Sequence, residues 1–330
     1  MKLSWKSILP GLALAFLLAV AAYQLGKHLP VVGGPVFGIT LGILVASVLP
    51  LPSTLNDGIK FTSKYVLQLA VILLGFEMNM ANVIRVGQAS LLILVVTLSV
   101  AFATAYFAGR YFQIERKLST LIGVGTAICG GSAIAAASTA IDAEDQDISY
   151  AISTIFLFNV IAVFLFPLIG HLLHLSDTGF GMWAGTAIND TSSVVAAGYS
   201  YSDAAGSFAT IVKLTRSLMI VPVTLALALV FAKDKESGTK FDLARVFPWF
   251  ILGFILAAII RSLGLIPLTV STSLAWTGKF LIIAAMSAIG LNTNLRKFVQ
   301  AGPRAIYLGA LTWVLVAVSS LAAQYLSGIL

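Results

Sequence analysis

Charge is scarce in this sequence. Lysine, arginine, aspartate and glutamate make up 10% of 330 residues, against about 25% in an ordinary soluble domain. A soluble chain so poor in charge would expose large apolar patches, which soluble monomers avoid. Cysteine is almost absent too: the lone Cys129 excludes an intramolecular disulfide and a multi-cysteine metal site. Histidine occurs three times, never as His-Glu-x-x-His, and no membrane-buried histidine lies near a Cys or Ser motif. With no nucleophile–base pair and no paired metal ligands, an intramembrane enzyme has nothing to work with. No cofactor site is expected either. Also missing is any hydrophilic stretch long enough to fold separately, which excludes an attached nucleotide-hydrolysing domain. Energy for transport must then come from a gradient.

What is present is apolar: 59% hydrophobic residues and a mean hydropathy of +0.99. Runs of this kind in lipid must satisfy every backbone polar group internally, as helices or closed barrels. The runs lack the alternation of barrel strands, so helices are expected. Eleven segments emerge, at 8–26, 32–49, 65–80, 89–109, 118–140, 148–173, 179–200, 207–232, 246–263, 273–291 and 304–328. The first follows Lys2 and Lys6 without a convincing cleavage site and reads as a transmembrane helix, not a removable signal. The expected fold is an all-α polytopic membrane protein, one integral membrane domain over residues 1–330.

Placing the N-terminus in the cytoplasm and alternating sides puts fourteen basic residues inside: Lys2, Lys6, Lys60, Lys64, Arg110, Arg116, Lys117, Lys233, Lys235, Lys240, Arg245, Arg296, Lys297 and Arg304. Only Lys27, Arg85 and Arg261 fall outside. Such a bias is the positive-inside pattern. It accounts for the net charge of +7 without invoking nucleic acid. On the same count the acidic loop Asp142–Asp147 is external, and His171 and His174 sit at a cytoplasmic span end.

Two internal similarities stand out. Leu74-Gly75-Phe76-Glu77-Met78-Asn79-Met80 aligns with Ile289-Gly290-Leu291-Asn292-Thr293-Asn294-Leu295 at an offset of 215, on segments of opposite expected direction. Gly125-Thr126-Ala127-Ile128 aligns with Gly185-Thr186-Ala187-Ile188 at an offset of 60, and the match continues through Ser132/Ser192 and Ala136/Ala196. Inverted-topology repeats are a hallmark of secondary transporters. Strict alternation makes the second pair parallel, which a re-entrant segment or a permuted repeat would resolve.

The chemistry-bearing residues lie on that second pair. Glycine pairs and Asn-Asp are poor helix formers, so breaks are expected at Thr126, Cys129, Gly130, Gly131 and Ser132, and at Asn189, Asp190, Thr191, Ser192 and Ser193. A break leaves half-helix N-termini that suit an anion, with hydroxyl donors beside them. Close packing of small residues is the competing explanation; it accounts for Gly and Ala but not for Asn189-Asp190. Lys213 and Arg216, at i and i+3, share one helix face. A cation at mid-span costs about 2.5–3.5 kcal/mol, which marks both as functional candidates. Binding the anion, pairing with Asp190 and snorkelling outward all remain open for them. Asp190 and Glu77 are the candidate carriers of a coupling ion, and Asn159 is expected to make an interhelical contact.

The strings Gly125-Thr-Ala-Ile-Cys-Gly-Gly-Ser132, Tyr150 to Val160 and Gly185-Thr-Ala-Ile-Asn-Asp-Thr-Ser-Ser193 resemble the YeiH family of bacterial inner-membrane proteins, over nearly the whole chain. Members are commonly labelled sulfate exporters. More distantly the chain is similar to the bile-acid/arsenite/riboflavin transporter group. That resemblance implies an inverted-repeat transporter in which the broken helices 125–132 and 185–193 cross at the substrate site. The group's five-plus-five helices do not map simply onto eleven segments. The expected function is secondary export of a small sulfate-like oxyanion across the inner membrane. The alternative is sodium- or proton-coupled transport with Asp190 as carrier. The expected partners are the anion and the lipid bilayer, and a homodimer stays open.

Overall fold

A backbone in hydrocarbon must bond to itself, and this one does so through helices. A computed structural model describes residues 5–29, 32–232, 248–293 and 302–330. Lys2, Lys233, Lys235, Lys240, Arg245, Arg296 and Lys297 of the charge count, and Asn294 and Leu295 of the second motif, lie outside these residues. In order come α1 (Trp5–His28), α2 (Gly34–Val48), α3 (Asn56–Phe61), α4 (Leu67–Leu74), α5 (Met80–Tyr111), α6 (Arg116–Ala127), α7 (Gly131–Ile141) and α8 (Asp145–Leu172). After them come α9 (Asp177–Ala187), α10 (Thr191–Tyr201), α11 (Asp203–Ser217), α12 (Ile220–Ala232), α13 (Phe250–Ser262), α14 (Leu268–Leu291) and α15 (Pro303–Leu326). A π-helical turn, Thr62–Val66, joins α3 to α4. No strand occurs among the described residues.

Seven stretches among the described residues are long and apolar enough to cross a membrane: Ser7–His28, Ser53–Glu77, Met80–Tyr111, Asp145–Leu172, Asp203–Phe231, Leu268–Leu291 and Pro303–Leu326. Shorter apolar helices are Gly34–Val48, Gly131–Ile141 and Phe250–Ser262. Each of the eleven apolar segments therefore carries helix. Segments 118–140 and 179–200 are each broken in two, and 207–232 is interrupted at Leu218–Met219, where Pro222 has no N–H to return to the Leu218 carbonyl.

The chain divides into two compact units. The first comprises Met1–Arg85, Val195–Ser207 and Trp249–Leu295. Lipid gives helices no hydrophobic reason to associate, so close backbone approach through small residues does the work. Gly42 of α2 lies so near Gly290 of α14 that a Cβ would come within 2.8 Å of its Cα. Helices α4 and α14 run antiparallel: the Ser271 hydroxyl donates to the Phe76 carbonyl, and Gly278 faces the Ala70 carbonyl. This is the opposite direction expected for the pair of motifs at offset 215.

The second unit comprises Val86–Val194, Phe208–Pro248 and Arg296–Leu330, and α15 serves as its ruler. Near the start of α15, Leu308 packs by Gly109 and by Ser119 of α6. Near its end, Ser320 hydrogen-bonds Thr186 of α9 at 2.6 Å, and Leu330 covers Gly179. Helices α6 and α9 thus enter from opposite ends of α15.

Neither continues across. Lys117, at the start of α6, donates to the Asp142 carbonyl at the end of α7 (2.6 Å), so α6 and α7 form a re-entrant hairpin. Phe208 of α11 clusters with Ala323 and Ile329. Helix α10, two residues before α11, therefore ends where α9 began, which makes a second hairpin. Their arms are 12, 11, 11 and 11 residues, or about 16–18 Å each at 1.5 Å per residue. That is about half of a 30 Å hydrocarbon core. Between the hairpins, α8 runs parallel to α15: Thr154 and Phe158 meet Gly309, and Phe158 and Phe166 lie tilted against Trp313 further on. Helices α11 and α12 run the other way, bringing Phe231 under the Arg116 guanidinium at 4.5 Å.

This corrects two placements. Strict alternation put Asp142–Asp147 across the membrane from Arg110–Lys117; the hairpin returns it to the same end. His171 and His174, at the end of α8, lie at the end where α9 begins, opposite Arg116 and Lys117. A 23-residue apolar segment with a break in its middle can turn back as readily as pass through.

Candidate functional site

The tips of the two hairpins meet around one helix. At the first tip α6 stops at Ala127, Ile128 leaves helical geometry, and Gly130 adopts φ 68°, ψ −130° before α7 starts. Only glycine takes that conformation without strain. At the second tip α9 stops at Ala187 and Ile188 is extended. Each α-helix end leaves carbonyls without partners and a partial negative charge.

Lys213 and Arg216 of α11 supply what those ends lack. Both are fully buried. The Lys213 ammonium donates to the carbonyls of Ile128 (2.7 Å), Ile188 (3.0 Å) and Asn189. Arg216 donates from Nε to Ala127 (2.6 Å), from one terminal nitrogen to Ile188 (3.1 Å), and from the other to Thr126. Hydrogen bonds to charged groups contribute about 1.5–3 kcal/mol each, so three offset the 2.5–3.5 kcal/mol cost of a cation at this depth. The two residues do not snorkel outward, and their hydrogen bonds go to carbonyls and not to the Asp190 carboxylate. They fasten one hairpin tip to the other.

The N-terminal ends of the outgoing arms differ from each other. Asp190 caps α10: its carboxylate accepts the Ser192 N–H at 3.1 Å and the Ser192 hydroxyl. Its own N–H donates to Asn159 Oδ1 of α8 at 3.1 Å, so the expected interhelical contact of Asn159 is one that orients this cap. The N-cap of α7 is Gly130, which has no side chain to offer, and within the first turn the Ala133 N–H meets the Cys129 thiol. A Cβ built on Gly131 meets no atom within 4 Å, so the helix start is open at that position, beside an exposed Ser132. Gly130, Asp190 and Asn159 converge, with Asp190 Cβ and Asn159 Nδ2 at 3.5 and 3.6 Å from a Cβ on Gly130. The Asn189 carboxamide is buried with no partner on either polar atom.

Thus the structure brings Thr126, Cys129, Gly130, Gly131, Ser132, Asn189, Asp190, Thr191, Ser192, Ser193, Lys213 and Arg216 to one place. Within it, the Thr126 hydroxyl turns back to the Ile122 carbonyl (2.9 Å) and only its own carbonyl serves the tip. Cys129, Thr191, Ser192 and Ser193 are buried at the breaks. Two cations against one carboxylate leave one formal positive charge. Glu77 is elsewhere, in the first unit, where it pairs with Lys279 at 3.0 Å; Lys279 also meets Asp203 at 2.9 Å. The carbonyls of Ile128 and Ile188 were not foreseeable as site groups, because apolar residue types carry no signal of what their backbone does.

A family profile described as Conserved hypothetical protein 698 matches residues 10–309. The chain belongs to that family. Its relatives include a UPF0324 membrane protein of Streptococcus agalactiae, 44% identical over 98% of this chain and 99% of its own. One of Streptococcus pyogenes is 48% identical over 97% and 98%. One of Fusobacterium nucleatum is 45% identical over 97% and 98%. UPF0324 is the family to which the YeiH resemblance points, and with its apolar helices the chain is a multi-pass membrane protein.

Proposed function

We propose that the protein is a secondary transporter for a small, sulfate-like oxyanion, acting in export across the bacterial inner membrane with its N-terminus in the cytoplasm. The observation that carries this reading is the first turn of α7, open at Gly131, beside hairpin tips with one unbalanced positive charge. Free N–H groups at a helix N-terminus and a surplus cation are what an oxyanion needs. The 60-residue repeat supports it. Arg116–Leu172 and Asp177–Ala232 each comprise a hairpin followed by a span, and they enter from opposite ends of α15, as inverted repeats around a midplane site do. Lys213 and Arg216 contribute long-range charge and hold the tips, while Ser132 and the α7 amides make the contact.

Sulfate or sulfite flux into proteoliposomes, with a thermal-shift panel of oxyanions, tests the reading. A bound ligand stabilises the native state in proportion to its occupancy. Gly131→Val is expected to fold normally, because its side chain enters open space, yet to lose oxyanion stabilisation and flux at least tenfold. Absence of any oxyanion effect in wild type would sink the proposal. A second reading, cation transport with Asp190 as carrier, draws on the Asp190 carboxylate making no salt bridge within 4 Å among the described residues. It requires flux that follows sodium or pH with no oxyanion present.

A further inference from the structure

We propose that the carbonyl cage between the two hairpin tips is a monovalent-cation site filled permanently by the Lys213 ammonium, so that the protein needs no sodium to hold the tips together. The cage is built from three backbone oxygens, of Ile128, Ile188 and Asn189, drawn from both tips. Unwound carbonyls at half-helix C-terminal ends are the groups with which broken-helix transporters coordinate a coupling cation. Here the three protons of one ammonium satisfy all three oxygens, and the side chain is wholly buried. The other ionisable groups acting on it are Arg216 on its own helix, Cys129 at the first tip and Asp190 at the second. The Asp190 carboxylate bonds to the start of α10, leaving the cage to carbonyls alone.

A diffusible ion in such a cage would leave and return, and the tips would loosen each time it left. A tethered ammonium cannot leave. The junction then stays closed at any sodium concentration, and transport draws on some other gradient. That last consequence rests on the transport reading, whereas the cage does not.

The test uses the full chain in detergent, with thermal unfolding measured in choline, sodium or potassium chloride at equal ionic strength and with no oxyanion present. Wild type and Lys213→Arg, which retain a cation, are expected to unfold at the same temperature in all three salts. Lys213→Ala in choline is expected to lose about 5 °C or more, the scale of an unsatisfied buried cage. Sodium, potassium or ethylammonium chloride should restore at least half of that loss. Saturable stabilisation of wild type by sodium would overturn the proposal even if Lys213→Ala failed to fold. So would a Lys213→Ala protein as stable as wild type in choline, or one that no cation restores. Because no oxyanion enters, failure here leaves the flux result standing on its own.

Discussion

At the scale of single residues, the junction shows that a buried charge in a membrane need not face a ligand. Arg216 spends three nitrogens on the carbonyls of Thr126, Ala127 and Ile188. Arg216→Ala should orphan the Thr126 and Ala127 carbonyls, since Ile188 keeps Lys213, at about 1–3 kcal/mol each, a loss of about 2 kcal/mol or more. Arg216→Lys should recover part of it, since a point charge cannot reproduce the planar fork. Thermal or denaturant unfolding in detergent checks both, and wild-type stability of Arg216→Ala would refute the pinning role. Asp190 makes the complementary case. Asp190→Ala removes an N-cap and should cost about 0.5–2 kcal/mol. Asp190→Asn keeps an acceptor and should fold like wild type. It also raises the site's formal charge from one to two, so oxyanions should stabilise it more than wild type in the same thermal-shift panel. Weaker stabilisation would show that the carboxylate itself takes part in binding.

At the scale of elements, hydropathy located the apolar helices among the described residues but could not tell a hairpin from a span. Segment 118–140 has the length and composition of a crossing helix, and only the dihedral angles at Ile128 and Gly130 turn it back. The Gly-Thr-Ala-Ile repeat marked both tips, and glycine pairs with Asn189-Asp190 marked both breaks, because those residue types are costly in a helix interior. Lys213 and Arg216 stood out for the same energetic reason. Their targets did not, since a carbonyl belongs to every residue alike. The hairpins make a clear statement about sidedness. In a Cys129→Ala background, Lys117→Cys and Asp145→Cys should react with an impermeant maleimide from one face of sealed vesicles, and Asp177→Cys from the other. Labelling of Asp145→Cys from the face of Asp177→Cys would restore the crossing-span topology.

At the scale of the whole molecule, the re-entrant hairpins leave the basic-loop pattern intact. A hairpin returns the chain to its starting face, so two hairpins change the side only of what lies between them. Arg110–Lys117 and the end of α12 still share one face, as the Arg116–Phe231 contact shows directly. The only described loops that move are the acidic turn after α7 and the histidine-bearing end of α8. The charge count could not detect this, because neither carries lysine or arginine.

The one thiol in the chain sits where the first hairpin breaks. Cys129 is 8% exposed, shut between the tips. It is a built-in chemical clock, with no second sulfhydryl to confuse its reading. How fast a permeant alkylating reagent consumes it measures how often this junction breathes, in unaltered protein and in native membranes, and under the proposed transport reading a bound oxyanion should slow the clock.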